Sequence, residues 1–406
     1  MRRIGPLVAL ALALGGCTPA APPPAPSAVV SPPRLVLRPL GFDQLPGWAD
    51  DNAAAVLPAL LRSCERITRL PLDKSMGADG IGGTAADWYA PCSAAQKVAA
   101  GDHAGARAMF ESWFAPWLAT DDGRPDGLFT GYFEPEIKGS RQRQGRFTVP
   151  VLGKPVDLIT VDLGRFRPDW AGEQLVGRLD GPRLLPYPAR AEIEAGALEA
   201  KAPVVAWTDD AVDFAIMQIQ GSGRVRLDDG SVLRLGVAGT NGHKFQGIGK
   251  ILKDEGKLDG DGSMPAIRAW LKSHPEEGRA LLARNPRYIF YGINAGDGPL
   301  GTEGVALTPE RSLAVDPRFI PLGAPVWLDT VEPSGRPLRR LMMAQDTGAA
   351  IKGVVRGDVF WGAGEAAFDK AGRMKSPGRL VLLLPLARSP RLAQADRGGR
   401  PKNNGM

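Results

Sequence analysis

From Tyr288 to Leu386 the chain is cut into apolar runs too short for ordinary helices, each closed by proline, glycine or aspartate. That fragmentation constrains the fold more than any other feature. Leu341-Met342-Met343-Ala344 and Val359-Phe360-Trp361 have the length and composition of buried strands, and a helix is expected only near Glu365 to Ala371. Gly 51 and Pro 37 point the same way, to a β-rich body with many turns. Asp346 follows the first run and Asp358 precedes the second. Strand ends on a rigid scaffold hold carboxylates well. Two close carboxylates drive their pKa values apart, so that one stays protonated and acts as an acid. The same residues also suit turns that cap glycine-rich loops, and spacing alone leaves both readings open.

Upstream, Phe42 to Leu61 has a helical pattern. Ser93 to Leu118 is expected to be helix-rich, with Ser93 as N-cap and an apolar stripe of Met109, Phe110, Trp113, Phe114 and Trp117. Gly127 to Phe133 switches to strand period. Arg190 to Glu199 is a short helix candidate. From Pro203 to Val237 the chain is expected to run strand after strand, including Phe214 to Ile219, with an Asp229-Gly230 hairpin turn. Met264 to Ala283 is helical, with a stop at Asn285-Pro286. Gln220-Gly221-Ser222-Gly223 and the Gly239-Thr240-Asn241-Gly242 turn offer neutral donors and acceptors suited to sugar hydroxyls, and suit a tight hairpin equally well.

The N-terminus is a targeting segment. Arg2 and Arg3 precede an apolar stretch, Leu7 to Leu14, too short to span a bilayer stably. Leu14-Gly15-Gly16-Cys17 resembles a bacterial lipobox, which implies cleavage before Cys17 and lipidation of its thiol. Thr18, where inner-membrane retention would place Asp, implies sorting to the outer membrane. Residues 18–33 are rich in proline and alanine, and the stretch from Cys17 to residue 38 is expected to be a semi-extended tether. Cys64 and Cys92 remain, an even pair in an exported chain, and a disulfide between them is expected. The tail from Ser389 is polar and expected to be disordered.

Composition excludes several classes. At 406 residues, 44% apolar and 23% charged, the chain suits about two or three ordinary folded domains. A net charge of +6 is mild, and no dense basic run is interleaved with aromatics, so nucleic acid is not expected. His103, His243 and His274 are scattered without metal-ligand spacing, so no metal is expected. Gly221-Ser222-Gly223 is not a nucleophile elbow. Gly362-Ala363-Gly364-Glu365-Ala366-Ala367 fits a loose dinucleotide pattern but lacks βαβ context. No cofactor is expected.

Several longer motifs, in order, carry a resemblance. They are Thr130-Gly131-Tyr132-Phe133-Glu134-Pro135, Asp213 to Gly223, Gly239-Thr240-Asn241-Gly242, Gly247-Ile248-Gly249, Leu307-Thr308-Pro309, Arg311 to Pro317, Ile320-Pro321-Leu322-Gly323 and Asp346 to Gly364. Together they resemble the membrane-bound lytic murein transglycosylase A family from about residue 45 to 386. Asp316, Asp346 and Asp358 match the aspartates of its three-aspartate domain. The resemblance implies a mainly β fold with helices, in which a double-psi β-barrel (39–135 plus 286–388) carries the chemistry. A second β domain (136–285) is inserted, with a glycan groove between the two. It implies Asp358 as acid and base, Asp346 in support, and substrate contacts from Thr130, Tyr132, Gln220, Gly221, Ser222 and Asn241. The implied reaction cleaves peptidoglycan strands with closure of a 1,6-anhydromuramyl ring. Implied partners are the glycan strand, the outer membrane through the lipid, and cell-wall synthesis or division proteins. A hydrolase on the same scaffold and a non-catalytic wall-binding lipoprotein remain alternatives. Ala349 departs from the family pattern, which often has glycine there.

Overall fold

A computed structural model of the chain describes residues 32–258, 262–296 and 298–387. The signal segment, Cys17, the tether up to residue 31 and the polar tail from 389 lie outside these residues. The tether was expected to run to residue 38, but the strand β1 (Leu35–Pro39) already pairs along its length with β2 (Phe114–Asp121). Between them lie helices α1 (Leu57–Ile67), α2 (Ala86–Ala95) and α3 (His103–Trp113). After β2 comes β3 (Gly127–Glu134). The chain then leaves for β4 (Glu136–Ser140), β5 (Val149–Leu152), β6 (Ile159–Asp162), β7 (Gln174–Asp180), β8 (Arg183–Pro186), α4 (Arg190–Glu194), β9 (Val204–Thr208), α5 (Ala211–Gln220), β10 (Gly223–Leu227), β11 (Val232–Thr240), α6 (Ile248–Asp254), α7 (Met264–Ser273), α8 (Pro275–Ala283) and β12 (Ile289–Ile293). It returns for β13 (Ser312–Val315), β14 (Pro325–Val331), β15 (Pro337–Asp346), β16 (Arg356–Ala363), α9 (Glu365–Arg373) and β17 (Lys375–Pro385).

The first sheet closes on itself. Its order β17-β14-β15-β13-β16-β3 ends where β3 pairs again with β17, a six-stranded barrel. Two pairs in it are parallel, β13 with β15 and β3 with β16. The late apolar runs are continuous because both faces of these strands are buried. Val326, Leu328, Met342, Ala344, Leu380 and Leu382 enter one core. Their neighbours Trp327, Leu341, Met343, Val381 and Leu383 enter another, under α1–α3. The second sheet, β12-β11-β10-β4-β9-β5, has its own core around Phe290, Tyr291, Val225 and Met217. Strand β12, expected in the barrel portion that begins at 286, belongs to this inserted sheet instead. The three strands β6-β7-β8 form a separate small sheet.

Three local expectations are corrected. The segment from Phe42 is a series of short 3-10 turns, and regular helix begins only at Leu57. Ser93 lies inside α2; the next helix is capped by Asp102, whose Oδ1 accepts from Gly105 N at 2.8 Å, and Phe114 and Trp117 are on β2. The run Phe214 to Ile219 is helical, not a strand. Asp210 Oδ1 accepts from the amides of Val212 and Asp213, both at 2.9 Å, and so starts α5. A fully buried helix shows the same unbroken apolar run as a buried strand. Ile216 packs in the barrel core, Phe214 and Met217 in the inserted core, and Ala215 against α6–α8. Cys64 of α1 and Cys92 of α2 are disulfide-bonded. A loop of that length constrains the unfolded chain by about 3.6 kcal/mol in the chain-entropy model.

Candidate active site

Four neighbouring strands place the candidate residues on one rung. Asp346 of β15 is opposite Ala314 of β13, Ala314 is opposite Asp358 of β16, and Asp358 is opposite Thr130 of β3. Asp358 therefore sits within its strand rather than at its end. Residues directly opposed in a sheet share a face, and Ala314 leaves room for a carboxylate on either side. Asp346 joins this face through a register shift between β13 and β15, where Leu313 pairs with Ala344 but Ala314 with Asp346. The skipped residue, Gln345, turns inward to bond Ser63, Ala59 and Ser312. Bulges of this kind re-aim the side chains that follow.

Gly131, between Thr130 and Tyr132, shows why the β3 motif needs a glycine. An added Cβ there would lie 2.5 Å from Trp361 Nε1 and 2.8 Å from the Cα of Ala371 on α9. The far side of β3 is thus closed by α9, leaving Thr130 and Tyr132 on the face of the aspartates.

Thr130 Oγ1 donates to Asp358 Oδ1 at 2.5 Å and accepts from Arg356 Nη2 at 2.8 Å. Burial pushes the Asp358 carboxyl up to about 6, against the opposing pull of Thr130 and Arg356, and Asp346 adds to the rise. Asp346 is held differently. Its Oδ1 accepts from Thr302 N at 2.8 Å, Thr302 Oγ1 at 3.0 Å and Thr347 N at 2.9 Å, and its Oδ2 accepts from the Tyr132 hydroxyl at 2.9 Å. Burial still raises the Asp346 pKa above its ordinary value. Burial together with the two aspartates raises that of Tyr132 further. The next residue after Thr302, Glu303, is buried, accepts from Ser63 Oγ at 2.7 Å and is pushed by burial up to about 7. Asp316, the remaining aspartate of the three, accepts from Arg318 Nη2 at 2.6 Å and Gly353 N at 2.9 Å. Burial opposes ionisation there, but these bonds outweigh it and hold the carboxyl below its usual range. Asp316 secures the turn before β16 rather than facing the aspartate pair.

Asp346 and Asp358 line a cavity of about 320 Å³ between the barrel and the inserted domain. Tyr132, Gln220 and Gly221 line it too. Gln220 ends α5, and its Oε1 accepts from Phe133 N at 3.2 Å, pinning the helix to β3. Gly221 caps the helix at φ +89°, a left-handed conformation suited to glycine. Ser222 lies outside the lining and Thr130 reaches Asp358 rather than the cavity. Asn241 is not brought to the groove. It is buried, donates to the carbonyls of Pro188 and Pro286, and accepts from Tyr288 N at 2.8 Å. All of its polar capacity used here serves backbone, so it clamps the insert. Arg356, Thr302 and Arg287 were not anticipated. Arg356 was findable, because strand period puts residue 356 on the face of 358.

A closed β-barrel with paired aspartates on one rung, facing an inserted β domain across a groove, defines a distinct class of two-domain β protein. Two family models match stretches of this chain. Residues 128–292 match the MltA specific insert domain and residues 311–384 the 3D domain. The membrane-bound lytic murein transglycosylase A of Escherichia coli K12 is 35% identical over 264 residues, covering 63% of this chain and 65% of that protein. The chain thus spans just under two thirds of this curated relative. The crystal structure of MltA from Neisseria gonorrhoeae superposes with TM-score 0.73 at 32% identity, covering 86% of this chain and 91% of that one. A structure of the E. coli protein with bound chitohexaose gives TM-score 0.61 at 28% identity, covering 88% and 93%. The chain belongs to the membrane-bound lytic murein transglycosylase A family.

Proposed function

We propose that this protein is a peptidoglycan lytic transglycosylase in which Asp358 is both acid and base. The carrying observation is the unequal state of the two carboxyls that line the cavity. Burial raises the pKa of both, but Asp358, pushed up to about 6, accepts a side-chain hydrogen bond only from Thr130 among the described residues. Asp346 accepts four hydrogen bonds, which leaves little capacity to activate water or attack a sugar. Hydrolysis by the common route needs two working carboxylates; intramolecular closure needs one. Protonated Asp358 gives its proton to the glycosidic oxygen between N-acetylmuramic acid and N-acetylglucosamine, and the C1–O bond breaks. The resulting carboxylate takes the proton of the muramyl C6 hydroxyl as that oxygen bonds to C1. Asp346 supports by holding Tyr132 and by raising the Asp358 pKa. Digestion of purified peptidoglycan should yield muropeptides one water lighter than hydrolytic products, with no oxygen from labelled solvent. Reducing-end products carrying solvent oxygen would replace this reading with hydrolysis, and no cleavage at all would favour the binding protein.

The setting proposed is the periplasmic face of the outer membrane, with Cys17 carrying the lipid. Relatives are named membrane-bound, and no helix among the described residues is long and apolar enough to cross a membrane. Cys17→Ser should move the protein from the membrane to the soluble fraction or block its processing. Wild-type protein found soluble, with an unmodified Cys17, would end the anchor proposal.

A further inference from the structure

The cavity wall beside the aspartates also carries two arginines, Arg190 and Arg287. Arg190 is engaged through both terminal nitrogens, while its buried Nε has no hydrogen-bond partner among the described residues. It is 3% exposed, pairs with Glu194 at 3.0 Å, lies 5.2 Å over the Tyr288 ring and donates Nη2 to the Arg287 carbonyl at 3.0 Å. Arg287 is held by its backbone: that carbonyl contact fixes one side, and its N–H donates to Asn285 Oδ1 at 3.3 Å. Its guanidinium is half-buried, and among the described residues it has no hydrogen-bond acceptor and no acidic partner. Burial alone acts on it, lowering its basicity without a compensating charge. A desolvated guanidinium without an acceptor is costly to the free protein. Such a fork matches a carboxylate in two-point geometry. The acidic groups in the same cavity, Asp346 and Asp358, belong to the barrel strands, whereas Arg287 lies between α8 and β12 of the insert. The groove is therefore electrically two-sided, with proton-donating chemistry on one wall and an open cation on the other.

We propose that Arg287 is a specificity-determining residue that receives a carboxylate borne on the 3-O-lactyl substituent of a muramyl sugar. The proposal rests on the peptidoglycan reading above and deepens it. The carboxylate has two sources, the lactyl group itself in peptide-free strands and the stem peptide in substituted ones. N-acetylglucosamine oligomers have neither.

The test measures binding in an Asp358→Asn background, so that strands are not consumed, with and without Arg287→Gln. The probes are chitohexaose, peptide-free glycan strands and peptide-bearing strands. Arg287→Gln should weaken binding of at least one anionic probe by about tenfold to a hundredfold, the range of a charge-assisted hydrogen-bond pair. Chitohexaose should stay within about twofold. Loss confined to peptide-free strands assigns the lactyl carboxylate, and loss confined to peptide-bearing strands assigns the stem. Arg287→Lys, which keeps the charge, should retain part of the preference and serves as the folded control. Equal loss on chitohexaose, or no change on either anionic probe, overturns the proposal. Product analysis with Asp358 intact judges the transglycosylase reading separately, since the binding comparison does not depend on turnover.

Discussion

Asp358→Asn is expected to cut turnover of glycan strands by at least about a hundredfold to ten-thousandfold, the usual contribution of general acid–base catalysis. Asparagine keeps the size of the side chain and can still meet the Thr130 hydroxyl, so strand binding should survive. The same change should stabilise the fold at neutral pH. The folded carboxyl titrates at about 6, above its ordinary 3.8, so the native state binds more protons than the unfolded chain between these values. Stability from this group is therefore fully present below about pH 4 and is lost as pH rises through about 6. The loss at pH 7 is about 3 kcal/mol at most; asparagine, which never ionises, avoids it apart from the strong hydrogen bond it weakens. Activity follows the same titration, since the reaction starts from protonated Asp358, and kcat/KM should decline above about pH 6. Asp346→Asn removes a neighbouring charge that raises that pKa, so the decline should move to lower pH. Turnover in Asp358→Asn close to wild type, or a pH profile unmoved by Asp346→Asn, would mean that the proton comes from elsewhere.

Arg311→Ala should cost about 3–5 kcal/mol, the range for breaking a buried ion pair from one side. Arg311 grips Asp51 with two nitrogens at 2.8 and 2.9 Å, and both side chains are buried. It also donates to the carbonyls of Leu341 and Asn52, while Asp51 accepts from Leu341 N at 3.0 Å. The cluster ties the segment before α1 to β15 just where β13 begins, and Arg311 O accepts from Met343 N at 2.8 Å. Removing it leaves the Asp51 carboxylate buried without its cation and loosens the strands that align Ala314 with Asp346. Arg311→Lys should recover only part of the loss, because an ammonium cannot form the two-nitrogen contact. The midpoint of urea unfolding measures both, and a cost below about 1 kcal/mol for the alanine variant would contradict the account.

Local chemistry was enough for much of this molecule. Runs such as Leu341 to Ala344 declared their strands because a short apolar stretch closed by turn formers is too brief for an ordinary helix. The Asp229-Gly230 hairpin, the helix at Glu365, the paired cysteines and the two groove aspartates were all legible, while Tyr132 was reached only through the family resemblance. The family itself was carried by motifs that stay contiguous in the chain. What the chain left undecided depends on burial by distant parts. Phe214 to Ile219 is helical because three separate cores claim its different sides, a fact no local pattern contains. Asp346 reaches the face of Asp358 through a one-residue register shift that exists only once β13 and β15 pair. Asn241 looked like a sugar ligand because a polar turn residue looks alike whether it faces solvent or clamps Pro188, Pro286 and Tyr288. The raised pKa of Asp358 and the open guanidinium of Arg287 are likewise tertiary properties. Sequence specified which groups ionise and which segments pair, but the free energy of a charge depends on how much water the fold removes around it, and that was settled only when the barrel and its insert closed on the groove.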